Sequence, residues 1–221
     1  MPNWCSNELT VSAPSREEIE AFIARGKSGD HVFVGPFQGR IEGYDWGAFT
    51  PIQMEMLMRD DELFLDKSDN KSSFSFHAFV PMPREVMLAP YDPNRLKEAA
   101  AKYPEWFGRF PNLLSGYDWE HKNWGVKWGA SEPSVGEVYQ GTDGRWYVDY
   151  SFETAWAPPT DFMHSLSALY PAFTFDLSFR EEGMGFAGDY GWSDGRSTRW
   201  EEFDCEGEEE EDEWGEEEGE E

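Results

Sequence analysis

Residues 145–179 constrain the fold more than any other stretch, because two strand patterns flank a helix pattern there. Trp146, Val148, Tyr150, Phe152 and Trp156 alternate with polar residues, then Phe173, Phe175, Leu177 and Phe179 do the same. A period of two marks a strand with one buried face. Between the two runs Pro158 and Pro159 end the first strand and pre-set a helical turn. Phe162, Met163, Leu166, Leu169 and Tyr170 then recur at helical spacing as far as Pro171. Two strands joined by a helix run parallel in one sheet, with the helix over its apolar face.

The rest of the chain supplies the partners of that unit. Residues 3–12 read as a strand with Cys5, Asn7, Leu9 and Val11 on the inner row and Trp4, Ser6, Glu8 and Thr10 on the outer. A helix over 15–25 follows, opened by a Ser15/Glu18 capping box, striped by Ile19, Phe22 and Ile23, and stopped at Gly26. Residues 72–80 place Phe74, Phe76, Ala78 and Val80 on one side and read as a further strand, with His77 on its wet face. Residues 135–140 and 145–156 form a hairpin across Thr142-Asp143-Gly144. Two insertions interrupt the order: 27–70, with a short helix near 53–59, and 84–134, with a helix capped by Asp92 and carrying Pro93 at its first position. The expected fold is α+β, a ferredoxin-like split βαβ antiparallel sheet over residues 1–200 with helices 15–25 and 159–170 on one face. Residues 201–221 form an acidic tail expected to be disordered.

Four motifs sharpen this expectation. Pro2-Asn3-Trp4-Cys5-Ser6-Asn7, Asn123-Trp124-Gly125-Val126-Lys127-Trp128, Thr154-Ala155-Trp156-Ala157-Pro158-Pro159 and Phe186-Ala187-Gly188 occur in that order and together resemble the YubB/Api92-like family. The resemblance implies a ferredoxin-like domain and a setting on phages and conjugative plasmids, but no particular activity. Val126 stands where threonine is expected in such proteins, so no hydroxyl chemistry is implied at that position.

Charge bounds the partners. The chain carries 18 Lys and Arg against 45 Asp and Glu, a formal charge of -27, and 15 of the acids fall in residues 201–221. The body alone keeps an excess of 12 acids. Such a field repels nucleic acid and anionic membrane and attracts basic proteins. The two cysteines, Cys5 and Cys205, offer neither a disulfide framework nor a zinc set, and no basic leader or long apolar run is present, so a host-cell cytoplasm is expected. Within residues 206–221, Trp214 is the single large apolar side chain and the candidate anchor.

Candidate sites follow from residue chemistry. Gly183-Met184-Gly185-Phe186-Ala187-Gly188 spells GxGxxG, yet turn chemistry at 189–195 replaces the helix that a dinucleotide fingerprint needs, and no cofactor is expected. His31, His77, His121 and His164 lie too far apart for a metal motif, and no metal is expected. Cys5 has no local base and reads as a small buried hydrophobe rather than a nucleophile. Trp124, Lys127 and Trp128 with Asn123 suit an aromatic slot with polar handles, and Asn3, Trp4, Asn7, Thr154 and Trp156 are candidates to converge on it. Two functional readings stay open. One is a non-catalytic acidic accessory protein of a mobile element that binds and inhibits a basic or nucleic-acid-binding host protein, as a nucleic-acid mimic or counter-defence factor. The other is a small-ligand-binding or enzymatic domain built on Asn123, Trp124, Lys127 and Trp156.

Overall fold

The structure is a computed structural model that describes residues 3–27, 31–32, 66–67 and 72–205. The core is an antiparallel sheet. Its strands are β1 (Trp4–Ala13), β4 (Ser131–Val135), β5 (Tyr139–Gln140), β6 (Trp146–Ala155), β7 (Thr174–Glu181), β8 (Phe186–Ser193) and β9 (Arg196–Asp204), and a separate two-residue ladder joins β2 (His31–Val32) to β3 (Asp66–Lys67). The main sheet runs β4-β6-β1-β7-β8-β9, with β5 also paired to β6. Because β1 is antiparallel to both β6 and β7, those two strands run the same way with β1 between them. Taking β1, β4, β6 and β7 as the four core strands, the order is second, third, first, fourth, which is the arrangement of a split βαβ fold.

The helices are α1 (Arg16–Gly26), α2 (Phe76–Phe79), α3 (Arg84–Leu88), α4 (Pro93–Lys102), α5 (Pro104–Phe107), α6 (Gly116–Trp124) and α7 (Thr160–Leu169). α1 forms as its sequence demands: Ser15 Oγ accepts from the Glu18 N–H at 3.3 Å and donates to the Glu18 carboxylate at 2.7 Å, satisfying a terminal donor. α4 is capped by Asp92, which accepts from the Asn94 and Arg95 amides. α1 and α7 cover one face of the sheet, where Leu9, Val11, Tyr150, Phe175 and Leu177 meet Phe22, Phe162, Met163 and Leu166. The opposite face is open, and its rows are polar: Ser6, Glu8 and Thr10 from β1, and Asp176, Ser178 and Arg180 from β7.

The second core strand is not 72–80. Phe74 is buried and Phe76–Phe79 forms a helical turn, so Phe76 and Phe79, three apart, enter the core while Ala78 and His77 stay partly exposed. Phe76 stacks on Phe162 with centroids 3.8 Å apart, and the His77 ring meets Trp124 edge-on. Alternating Ser and Phe imitated a strand because a single helical turn is too short to show its own period. The second core strand is instead β4, and the whole excursion from Lys27 to Ala130 lies between α1 and β4. Trp156 also departs from its expected inward row: the chain leaves β6 at Ala155 and Trp156 takes φ 73°, turning its ring outward. Beyond β7 the glycine-rich stretch makes a hairpin across Asp194 and Gly195 (φ 51° and 68°), the paired left-handed turn that Asp-Gly favours. β9 therefore continues to Asp204, into the segment read as tail. Residues 206–221, with Trp214, lie outside the described residues, as does the short helix expected near 53–59.

Candidate functional site

At one end of the open face the start of β1, the ends of β6 and β7 and the start of β4 surround a cleft of about 590 Å³. Asn3, Trp4, Ser6, Ser131, Glu132, Glu153, Arg180, Glu181, Glu182 and Gly183 line it. The register explains why they meet: Ser6 faces Glu153 on β6 and Arg180 on β7, and Ser131 faces Glu153 from the other side. Ser6 Oγ donates to Glu153 Oε1 at 3.0 Å. Glu181 belongs to the framework, since its buried carboxylate accepts from the Gly183 and Met184 amides at 3.2 and 2.6 Å and so holds the β7–β8 turn. Glu132, Glu153 and Glu182 remain, with Arg180 as the cation in the lining. The cleft is acidic.

Trp4 lines the cleft, and Trp128 lies beside Trp4. Trp4 is 41% exposed and Trp128 51%, and their ring centroids lie 6.3 Å apart at 45°. Lys127 Nζ sits 3.9 Å from the centroid of the Trp128 ring, a cation–π contact. The backbone holds this arrangement against its own preference. Trp128 (φ 74°) and Trp156 (φ 73°) both occupy the left-handed region, where a bulky residue costs of order 1–3 kcal/mol. Gly125 and Gly129, with φ of 78° and 69°, let the intervening loop fold back. Hydrogen bonds offset the strain. The Trp128 N–H donates to Glu120 Oε2 at 3.1 Å, the Tyr91 hydroxyl donates to the same oxygen at 2.7 Å, and the Trp156 N–H donates to the Asn3 carbonyl at 3.0 Å. Burial pushes the Glu120 carboxyl up from its ordinary value, while the Tyr91 and Trp128 donors pull the other way. Burial, and then its hydrogen bond to the Glu120 carboxylate, push the Tyr91 phenol up.

The sequence candidates divide into two groups that do not meet in one slot. Trp124 is 1% exposed and its Nε1–H donates to the Val80 carbonyl at 3.1 Å, so it is core. Asn123 turns back along α6 to donate to the Trp119 carbonyl at 2.8 Å. Asn7 and Thr154 meet beneath the sheet: Asn7 Nδ2 donates to Thr154 Oγ1 at 2.8 Å and to the Cys5 carbonyl at 2.7 Å, and Thr154 Oγ1 donates to the Ala157 carbonyl at 2.7 Å. That relay ties β1 to the loop before α7. Asn3, Trp4, Lys127, Trp128 and Trp156 are the surface group, and Asn3 and Trp4 line the cleft. Cys5 is buried and its thiol is pushed up to about 12 by burial and then by Glu181 and Glu153, which leaves it protonated and unreactive. Gly183 and Gly185 lie in the β7–β8 turn and Gly188 in β8, where a side chain would collide with the Glu201 backbone and Phe179.

Glu120, Tyr91, Glu132, Glu153 and Glu182 escaped the sequence reading. With 45 acids no carboxylate could be singled out, and only the register of β1 with β6 brings Glu153 to Ser6. The available signal was the wet row of β6, on which Glu153 falls.

A split βαβ antiparallel sheet with helices on one face and the other face open defines a ferredoxin-like α+β domain. Residues 123–219 match the family model described as the ferredoxin-like domain in Api92-like protein, which bears out the family resemblance and contains three of its four motifs, Pro2–Asn7 lying before it. A crystal structure of the protein Api92 from Yersinia pseudotuberculosis also matches, with a TM-score of 0.43 and 12% identity over 92% of this chain and 98% of that one. No curated protein matches the chain.

Proposed function

We propose that this is a non-catalytic acidic accessory protein, carried by a phage or plasmid, that binds a basic or nucleic-acid-binding protein of its host and inhibits it. One observation carries the reading: Glu132, Glu153 and Glu182 line a cleft together with the exposed Trp4, and the exposed Trp128 lies beside Trp4. A Lys or Arg side chain entering it meets carboxylates below and indole faces at the side, the two chemistries that recognise a cation. Tryptophan anchors ringed by charge are also the usual source of binding energy at protein interfaces. The field supports encounter, since the body carries an excess of 12 acids and residues 201–221 add 15 more. An acidic cleft on a chain that also carries a polyanionic segment has the electrostatic footprint of a nucleic-acid mimic.

The open sheet face argues against direct nucleic-acid binding, which related folds perform with aromatic residues on that face. Here it carries Glu8, Asp149, Asp176 and Asp189, whose charge repels phosphate, and its exposed aromatics Trp4 and Phe203 stand at the edges of this acidic surface, while Tyr150, Phe175 and Trp192 lie buried beneath the helices. The alternative of a ligand pocket on Asn123, Trp124, Lys127 and Trp156 finds no support in the placement of Trp124 and Asn123. The test is capture of host cytoplasmic proteins by the full chain, by W4A/W128A and by a chain lacking 206–221. Basic partners that are lost from the tryptophan variant, and whose association slows steeply from low to physiological salt, support the reading. Neutral or acidic partners, or binding that ignores salt and both changes, refute it.

A further inference from the structure

The two outer strands of the sheet are built differently. β4 is five residues long, contains Pro133, loses register between Ser131 and Ser134 and sets Glu132 at φ 49°, and each of these features blunts an edge against pairing. β9 is nine residues long, exposed throughout and free of proline, and among the described residues nothing pairs with its outer side. An edge that regular is a template for another strand.

Its sequence specifies which strand. When two copies of one strand pair antiparallel about a twofold axis, one residue must face itself, because wide and narrow pairs alternate along the ladder. An axis through Arg199 or Glu201 would set like charges opposite each other. An axis through Trp200 sets Arg199 opposite Glu201 of the other copy and Glu201 opposite its Arg199, with the two indoles facing across the axis. Arg199 is already poised at this edge on the open face, 3.0 Å from Asp189 Oδ2 and 3.0 Å from Glu201 Oε2, with its side chain 44% exposed. Trp200 is 54% exposed on the other face, where it stacks on Tyr190 at 3.6 Å and 16°, so its ring is fixed in place before any partner arrives. The irregularity between Gly191 and Trp192 ends the regular stretch near Thr198 and leaves Arg196 outside the pairing.

We propose that β9 pairs antiparallel with β9 of a second copy of this chain about Trp200, joining two sheets into one. Self-association must overcome a charge of -27 on each copy. The antiparallel arrangement eases this, because the acidic segments leave β9 at opposite ends of the ribbon. Nine residues at about 3.3 Å each hold their starting points roughly 30 Å apart, well beyond a Debye length of about 8 Å at physiological salt.

Light scattering and sedimentation of the full chain at physiological salt test this. The expected result is a dimer that dissociates on dilution. R199E puts two like-charge pairs across the axis, and so does E201R, and each weakens the dimer by about tenfold or more. Mixing the two single variants restores it, because in the mixed dimer every Glu at 199 or 201 again faces an Arg. E201R keeps the Asp189–Arg199 pair, so should R199E not fold, E201R alone must still give monomer, and E201Q must weaken the dimer less. A monomeric wild-type chain, a dimer that ignores both reversals, or a mixture that stays monomeric overturns the proposal.

Discussion

Trp124 and Trp128 stand four residues apart, one in the core and the other at the surface. Trp124 ends α6 facing inward, ringed by Phe76, His77 and Trp119 with its one donor satisfied. Trp128 sits past a left-handed glycine, half exposed, beside Trp4 and under a lysine. The inner set lowers the energy of the fold by burial, whereas the outer set raises it by strain and is held by Glu120 and Asn3. Strain that a structure maintains at an exposed aromatic is the mark of a surface selected for contact rather than for stability.

The strongest way to break this contrast is truncation on the inner side. Phe162→Ala removes a buried ring stacked on Phe76, and unfolding by denaturant should show a loss of about 3–5 kcal/mol. Trp4→Ala on the rim should change stability by less than about 1 kcal/mol while lowering capture of a basic partner. Equal losses at the two positions would mean that the rim is core.

The polar relay beneath the sheet is next in size. Thr154→Val keeps the shape but takes the donor from the Ala157 carbonyl and leaves Asn7 Nδ2 with only the Cys5 carbonyl and, at 3.3 Å, that of Phe152, and it should cost about 1–3 kcal/mol in the same measurement. A neutral outcome would show that water replaces the hydroxyl.

A comparison at Trp128 reads the strain directly. Glycine usually destabilises relative to alanine, but at φ 74° the order should invert, with W128G more stable than W128A by about 1 kcal/mol in thermal melts. The usual order would mean that the loop relaxes when the indole is removed.

The smallest effect concerns pH. Burial raises the Glu120 carboxyl in the folded state, so the native protein holds its proton more tightly than the unfolded chain does. The stabilisation this gives is fully present below the ordinary carboxylate value of 4.5 and is lost as pH rises through the raised folded value. Glu120→Gln retains an oxygen for Tyr91 and Trp128 and should gain stability relative to wild type as pH rises from about 4 to 8. A difference that does not change with pH would show that Glu120 titrates as it does in the unfolded chain.

Much of this architecture is written in local pattern. β1, α1, β6, α7 and β7 follow from period-two or period-3.6 runs long enough to declare themselves, and the capping box at Ser15, Asp92 before Pro93 and the Asp143-Gly144 turn need only neighbours along the chain. The same reading placed Cys5, Asn7, Leu9 and Val11 on one buried row, where they are. It failed at 72–80, where one helical turn of Phe76–Phe79 is shorter than its own period, and at β4, whose Ser-Glu-Pro-Ser-Val carries no alternation because an edge strand buries little. The surface site lay beyond it for a different reason. Whether a tryptophan packs or points outward depends on the left-handed turns at Trp128 and Trp156, and those are fixed by Glu120 and Asn3 across the fold. The sequence by itself determined the long strands, the long helices and the charge. Only the tertiary structure decided which acids share a cleft and which indoles face it, because register and backbone handedness are settled by contacts between residues far apart in the chain.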